Sequence, residues 1–140
     1  MVNLDIIGSR GYAGMRAARS HRSEPDPDYA AAFYSGASPR LRDILRGARD
    51  IGDLKLDLEP VNRFPFSDAG SFQNIQVPTI SLFSGFHPDY SSLSDTPDKL
   101  DYRKLARMVL LTDRILVNLI EEPAPIGFDP SIHVTGGMKY

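Results

Sequence analysis

Short apolar runs alternate along the chain with segments of helical periodicity. The run "VNLDIIG" is β-branched and apolar and ends at Gly8, which predicts a first strand that carries Asp5 in its middle. Residues 8–28 combine three glycines, several basic side chains and the proline-bearing "SEPDPD", so we expect a loop there. The aromatic content and closing glycine of "YAAAFYSG" favour a second strand, although its three alanines also allow a helix.

The first helix is predicted directly after this strand. Ser38 can cap the free amides of a helix start, and Pro39 fits the first turn because its missing N–H is not needed there. Gly52 is expected to end the helix. The apolar positions between them share one helical face: Leu41, Ile44, Leu45 and Ala48.

Two further strands and a long helix follow. The alternation in "LKLDLEPV" is typical of a strand near a sheet edge with one solvent-facing side. The uniformly apolar "PTISLFSG" predicts an interior strand that is covered on both faces. Asp101 is then expected to cap a helix that Pro123 stops. We expect the buried face of this helix to comprise Leu105, Met108, Val109, Leu116, Leu119 and Ile120.

Strands that alternate with helices indicate an α/β fold. We predict a mixed or mainly parallel sheet of about four strands with helices packed on it. Residues 1–122 should form this domain, and residues 123–140, rich in proline and glycine, an irregular C-terminal extension. Because α/β sheets place ligands beyond the strand ends, we expect Asp5, the segment "FPFSDAGSF" and the loop after the fourth strand to meet.

Composition narrows the class of protein. With 140 residues, 41% hydrophobic and 24% charged, the chain suits one compact domain. Its formal charge of −2 argues against nucleic-acid binding, and the absence of cysteine excludes disulfides and thiolate metal sites. The pattern of a signal peptide and the apolar length of a membrane span are both missing, so we expect a soluble protein that does not bind membranes, in a compartment left open.

The loop "PDYSSLSDTPDKLDY" holds four carboxylates: Asp89, Asp95, Asp98 and Asp101. Turn formation explains Asp95 and Asp98, and helix capping explains Asp101. Asp5 is expected to accept hydrogen bonds from backbone amides or from an arginine such as Arg10, with metal binding as the alternative. Asp68 is expected to cap a short turn, and His87 to act as an ordinary hydrogen-bonding histidine.

Three stretches carry a resemblance to a known family. "NLDIIGS", "SDAGSF" and "VPTISLFSGFHPDYSSLSDTPDKLDY", followed by an amphipathic helix, resemble the C-terminal half of the di-zinc aminopeptidases, in order over residues 1–122. That metallopeptidase family includes glutamate carboxypeptidase-like proteins and is related to glutaminyl cyclases. The resemblance implies part of the family's three-layer zinc-aminopeptidase fold.

The resemblance assigns few metal ligands to this chain. It implies that Asp5 stands where a family aspartate binds zinc, while Ser91 stands in place of the histidine that binds the other zinc. The family's Ser-Asp-His appears here as Ser67, Asp68 and Ala69. The other ligands and the general base belong to an N-terminal half that these 140 residues do not match. Asp5 is therefore a vestigial metal candidate, and Asp68, Ser91 and Asp95 mark the former site region.

Coordination chemistry then predicts the activity. A catalytic zinc needs about three protein ligands and a water, which one aspartate and a weakly donating serine do not supply. We expect no catalytic residue and no cofactor in this chain alone, and a role in binding or assembly, with a peptide as a possible ligand. An uncovered sheet predicts a homo-oligomer or a second chain.

Two alternatives stay open at this point. The chain can be a fragment of an active zinc aminopeptidase, completed with zinc when an N-terminal half supplies the remaining ligands and the base. Alternatively, Asp5, Asp89 and Asp95 form a new site for a hard cation such as calcium or magnesium.

Overall fold

The structure is a computed structural model that describes residues 1–9, 26–64 and 67–135. These residues contain four strands: β1 (Val2–Asp5), β2 (Tyr29–Ser35), β3 (Lys55–Val61) and β4 (Ile80–Phe83). They also contain three α-helices: α1 (Arg40–Arg46), α2 (Asp68–Asn74) and α3 (Tyr102–Ile120). Two short 3-10 helices lie at Ile51–Asp53 and Pro97–Lys99.

The four strands form one mixed sheet in the order β1-β4-β2-β3. β1 runs parallel to β4, and β2 runs parallel to β3, but β2 and β4 are antiparallel. The predicted α/β class with a mixed sheet is therefore confirmed. Because of the antiparallel pair, the carboxyl ends of β1 and β4 lie at one end of the sheet, and those of β2 and β3 lie at the other.

The strands follow the hydrophobic pattern closely. All four residues of β4 are buried, as expected for an interior strand, and the acidic and basic side chains of β3 face solvent at the opposite edge from β1. Ala30 and Ala32 of β2 are fully buried in the core. The segment "YAAAFYS" is thus a strand, and its small side chains let the helices pack closely over the sheet centre.

One main core joins α1 and α3 to one face of the sheet. Met108, Leu111 and Ile115 of α3 pack there with Leu41, Ile44 and Leu45 of α1 and with alternate residues of β2, β3 and β4. A smaller cluster on the other face consists of Val61, Phe64 and Ala69 with Phe33 against it, and it holds α2. Helices therefore pack on both faces of the sheet, most completely over the central strands β2 and β4.

The predicted ends of the first helix were wrong. Pro39 is the N-cap residue of α1, and the buried Ser38 hydroxyl finds no hydrogen-bond partner among the described residues. The helix ends at Arg46, and Gly52 lies in the following 3-10 helix with φ of +76°. A side chain at Gly52 would lie 3.1 Å from the Arg107 carbonyl oxygen, so glycine is needed there for close packing against α3.

The long helix begins as predicted, but its buried face is different. The Asp101 carboxylate accepts hydrogen bonds from the amides of Arg103 and Lys104, both at 3.1 Å, and so caps α3. The fully buried positions of α3 repeat at i, i+4, i+7 and i+11: Lys104, Met108, Leu111 and Ile115. Three side chains expected to be buried are exposed instead: Val109, Leu116 and Ile120. They share a different side of the helix from the buried positions, and each is at least 42% exposed.

The C-terminal segment has no helix or strand within residues 121–135, yet it is attached to the sheet. The Asp129 amide donates to the Ala37 carbonyl at 2.8 Å. Asn62 exchanges two side-chain hydrogen bonds with the backbone of Val134, at 2.9 and 2.8 Å. Within the described part of the chain, no helix has both the length and the apolar character needed to cross a bilayer. The predicted loop falls largely on residues 10–25, which lie outside the described residues.

Candidate functional site at the carboxyl ends of β1 and β4

A cleft of about 620 Å³ lies beyond the carboxyl ends of β1 and β4. One wall is residues 6–9, which follow β1, and the other is the loop of residues 87–91 together with Asp95 and Lys99. Ser91 and Asp95, two of the residues predicted from the sequence, therefore lie in one cleft. Asp5 and Asp68 are not among its described lining residues, but Ile6, the neighbour of Asp5, is.

Asp68 lies close enough to Asp5 to act on it electrostatically. Burial raises the pKa of the Asp5 carboxyl above its ordinary value, and the negative charge of Asp68 raises it further. Among the described residues, none donates a hydrogen bond to the Asp5 carboxylate, so the amide donors that we expected are not found there, and Arg10 lies outside the described residues. The negative charge of Asp68 thus makes the ionised form of Asp5 less favourable.

The turn after Asp5 has an unusual backbone. Ile6 has φ of +51°, a conformation that β-branched residues rarely adopt. Its carbonyl oxygen accepts hydrogen bonds from the backbone amide of Ser84 and from the Ser84 hydroxyl. Ser84 is fully buried at the end of β4. These two hydrogen bonds hold the strained turn that forms one wall of the cleft.

The carboxylates of the loop after β4 are mostly paired within the loop. Asp89 accepts a hydrogen bond from Ser94 at 2.6 Å and forms an ion pair with Lys99 at 2.8 Å. The Lys99 and Ser94 hydrogen bonds hold the pKa of the Asp89 carboxyl below its usual range. The Asp95 amide donates to the Ser92 carbonyl in a turn. Asp95 lies 3.8 Å from the imidazole of His87, so His87 has a carboxylate beside it.

Residues 95–99 behave as the turn chemistry predicts. The Thr96 side chain bonds to the Asp98 carboxylate and lowers the pKa of that carboxyl. Pro97 starts the short 3-10 helix, and the Lys99 amide donates back to the Thr96 carbonyl at 3.0 Å. Local turns therefore account for Asp98 without a ligand.

Asp68 was expected to cap a short turn, and this prediction was wrong. The segment forms the helix α2, and its cap is Ser67, whose hydroxyl accepts from the Ala69 amide at 3.1 Å. Asp68 is instead the first helical residue, where its negative charge is favourable beside the free amides.

Sequence reasoning missed a row of aromatic rings beside the cleft. Ring centroids lie 6.1 Å apart for Phe33 and Phe83, 4.9 Å for Phe83 and Phe86, and 5.3 Å for Phe86 and Tyr90. The row leads from the α2 face of the sheet to the cleft, which Tyr90 lines. The close spacing of aromatic residues in "LFSGFHPDY" is the sequence feature that could have predicted this row.

Sequence reasoning also missed Lys104, a buried lysine under the cleft. Its ammonium donates to the Ser84 carbonyl at 2.9 Å and reaches the Asp26 carbonyl at 3.4 Å. Burial lowers the pKa of Lys104 to about 8. Its position four residues before Met108, on the same face of α3, is the sequence feature that could have predicted its burial. Lys104 thus ties the end of β4 to the start of α3.

The donor groups of the described residues do not converge on one point. Within residues 1–9, 26–64 and 67–135, no three histidine, aspartate or glutamate side chains come together in a way that could hold a metal ion. The described residues of the cleft offer hydrogen-bond donors, one imidazole beside a carboxylate, and an aromatic border. Such an arrangement can bind a polar or peptide-like group.

Comparisons of the chain with protein-family models, curated proteins and solved structures gave no match.

Proposed function

We propose that this chain is a zinc-aminopeptidase-like domain that is catalytically incompetent on its own and acts in binding or assembly. The donor set at Asp5 is the observation that carries this proposal. Its described electrostatic neighbour is the carboxylate of Asp68, while Ser91 occupies the position where the family has a histidine. A zinc site built from these residues would lack the imidazoles that catalytic zinc requires.

Assembly is supported by an apolar surface on α3. Four side chains at i, i+7, i+14 and i+18 form the α3 stripe and are 65, 53, 42 and 81% exposed: Tyr102, Val109, Leu116 and Ile120. Leu4 of β1 is also 46% exposed, although it is in register with the buried Leu82. The apolar face of the sheet thus extends beyond the part that α3 covers. A second polypeptide, in the first instance another copy of this chain, would cover these side chains.

The activity of the purified chain tests the first part of the proposal. We expect no hydrolysis of leucine p-nitroanilide above the blank and no stoichiometric zinc by metal analysis after incubation with the ion. The physical reason is the shortage of ligands around Asp5. Hydrolysis that stops when a chelator is added would contradict the proposal, and an Asp5→Asn variant would show whether this residue takes part.

Charge placed in the α3 stripe tests the second part. We expect the chain to associate as its concentration rises in light scattering and Leu116→Lys to shift it to monomer, because a lysine in an apolar interface loses its hydration. Glu121→Lys, at an exposed position at the end of the same helix and about a quarter of a turn away from the stripe, is the matched control and should associate like the parent. A parent chain that stays monomeric at every concentration would count strongly against self-assembly.

One observation favours the alternative, that an N-terminal half completes an active enzyme. β1, which carries Asp5, is an edge strand, so its free side could accept a strand that brings further ligands next to that carboxylate. Restoring histidine with Ser91→His and adding such a half should then give zinc uptake. Failure to take up zinc would reject this alternative.

A further inference from the structure

A second concave surface lies at the opposite end of the sheet from the cleft. This arginine groove has a volume of about 470 Å³ and lies where β2 and β3 end. Three arginines of α1 and the turn after it line one side: Arg42, Arg46 and Arg49. The other sides are mainly apolar and come from β3 and the C-terminal segment: Leu58, Pro60, Ile132 and Val134.

The three arginines are placed together by helical spacing. Arg42, Arg46 and Arg49 follow at i, i+4 and i+7, which puts them on one side of α1 and its continuing turn. They are exposed, and no described residue forms an ion pair with any of them. Arg40, on the same helix, is different because it pairs with Asp43 and with Glu122. The groove therefore has three positive charges that the described part of the chain leaves without a counter-ion.

The apolar wall of the groove is fixed rather than loosely placed. The two hydrogen bonds between Asn62 and Val134 attach the C-terminal segment to the end of β3. A Cβ atom on Gly36 would lie 2.7 Å from the Val134 side chain, so the glycine lets this segment lie directly against the end of β2. The wall is thus built by residues far apart in the sequence.

Tyr34 forms part of the base of the groove, and the charges of nearby arginines affect the pKa of its phenol. Its ring is buried, and burial raises the pKa of the phenol, while Arg42 and Arg46 act in the opposite direction. The nearby acidic groups are Glu59 and Asp43, which raise the pKa of the phenol again. Asp43 is already paired with Arg40. Arg42 and Arg46 are therefore close enough to the base of the groove to act on the phenol.

We infer that the arginine groove binds an organic phosphate, with the phosphoryl group on the arginines and an apolar body on the wall of Leu58, Pro60 and Val134. Guanidinium groups match phosphoryl oxygens in geometry and charge, and they keep their charge at every physiological pH. The adjoining apolar surface favours a phosphate that carries an apolar group over a bare anion. This inference is independent of the proposed function, since it uses none of the residues of the cleft.

Calorimetric titration with phenyl phosphate tests the inference. We expect binding that weakens with added salt, and at least a roughly tenfold loss of affinity in Arg46→Gln and in Arg42→Gln, because each removes a charge-assisted hydrogen bond. Arg114→Gln, which removes an exposed arginine of α3 outside the groove, is the matched control and should bind like the parent. Inorganic phosphate should bind more weakly than phenyl phosphate, and the uncharged phenol should not bind.

Several results would overturn the inference. One is the absence of binding heat for phenyl phosphate in the parent chain. Another is an equal loss of affinity in Arg114→Gln and Arg46→Gln, which would indicate a general charge effect. If inorganic phosphate binds as tightly as phenyl phosphate, the apolar wall has no part in binding. Unchanged thermal unfolding of each variant is the check that the substituted chains are folded, and it is expected because all three arginines are exposed.

Discussion

Replacing Gly70 by alanine is expected to lower the free energy of unfolding by about 3 kcal/mol. Gly70 is buried in α2, and a Cβ atom there would lie 2.6 Å from the carbonyl oxygen of Phe64. That carbonyl has little freedom to move, because the Phe64 amide donates to the Gln73 side chain at 3.0 Å and the Phe64 ring is buried. The gain in helix propensity from alanine, about 1 kcal/mol, is smaller than the cost of this overlap.

Urea unfolding at equilibrium measures this loss, with Gly127→Ala as the matched control. A Cβ atom added to Gly127 would have no neighbouring atom within 4 Å, so this replacement should change the free energy of unfolding little. If Gly70→Ala were as stable as the parent chain, α2 would not pack against residue 64 as described. Because α2 positions Asp68 beside Asp5, the same variant should also disturb the pKa of Asp5.

The free energy of unfolding is expected to depend strongly on pH because of Lys104. The pKa of Lys104 is about 8 in the folded chain against 10.5 for an ordinary lysine. The unfolded chain therefore binds more protons between these values, and stability rises with pH there. Below about pH 8 both states are charged and the folded state bears the full cost of burial. Between about pH 7 and about pH 10, the parent should gain about 2 to 3 kcal/mol relative to Lys104→Met, which has no group to titrate.

Urea unfolding of both chains at the two pH values gives this difference directly. The charged groups that act on Lys104 are Asp26, Asp101, Arg107 and Asp28. Their titration, and that of the rest of the chain, is shared by both proteins and so cancels to first order. Lys99→Met, at an exposed lysine of the loop, is the control and should follow the parent curve. Parallel curves for the parent and Lys104→Met would show that the ammonium is not buried as described.

The strands could be predicted because their burial is recorded in local patterns. β4 is apolar at nearly every position and proved to be interior, and β3 alternates and proved to be an edge strand. The helix α2 could not be predicted in the same way. It has seven residues with a glycine inside, and its stability comes from the Ser67 cap and from packing on Phe64, neither of which gives a helical hydrophobic period.

The candidate site could be predicted only in part, for a similar reason. The expectation that Asp5, the segment around Asp68 and the loop after β4 would meet assumed strands that end at one edge of the sheet, whereas β1 and β3 end at opposite ends. Asp68 acts electrostatically on Asp5 because α2 contacts β1. The aromatic row and the buried Lys104 depend on which side chains face each other across the sheet. The arginine groove combines α1, β3 and residues near 134, so its lining is not visible in any one segment.

The antiparallel pairing of β2 with β4 separates the two surfaces that could bind ligands, the cleft and the arginine groove. It sends the loops after β1 and β4 to one pole of the molecule and the loops after β2 and β3 to the other. The described linings of the two hollows share no residue. A ligand bound in the cleft therefore leaves the arginine groove free, and a single copy of the chain could bind two different molecules at once.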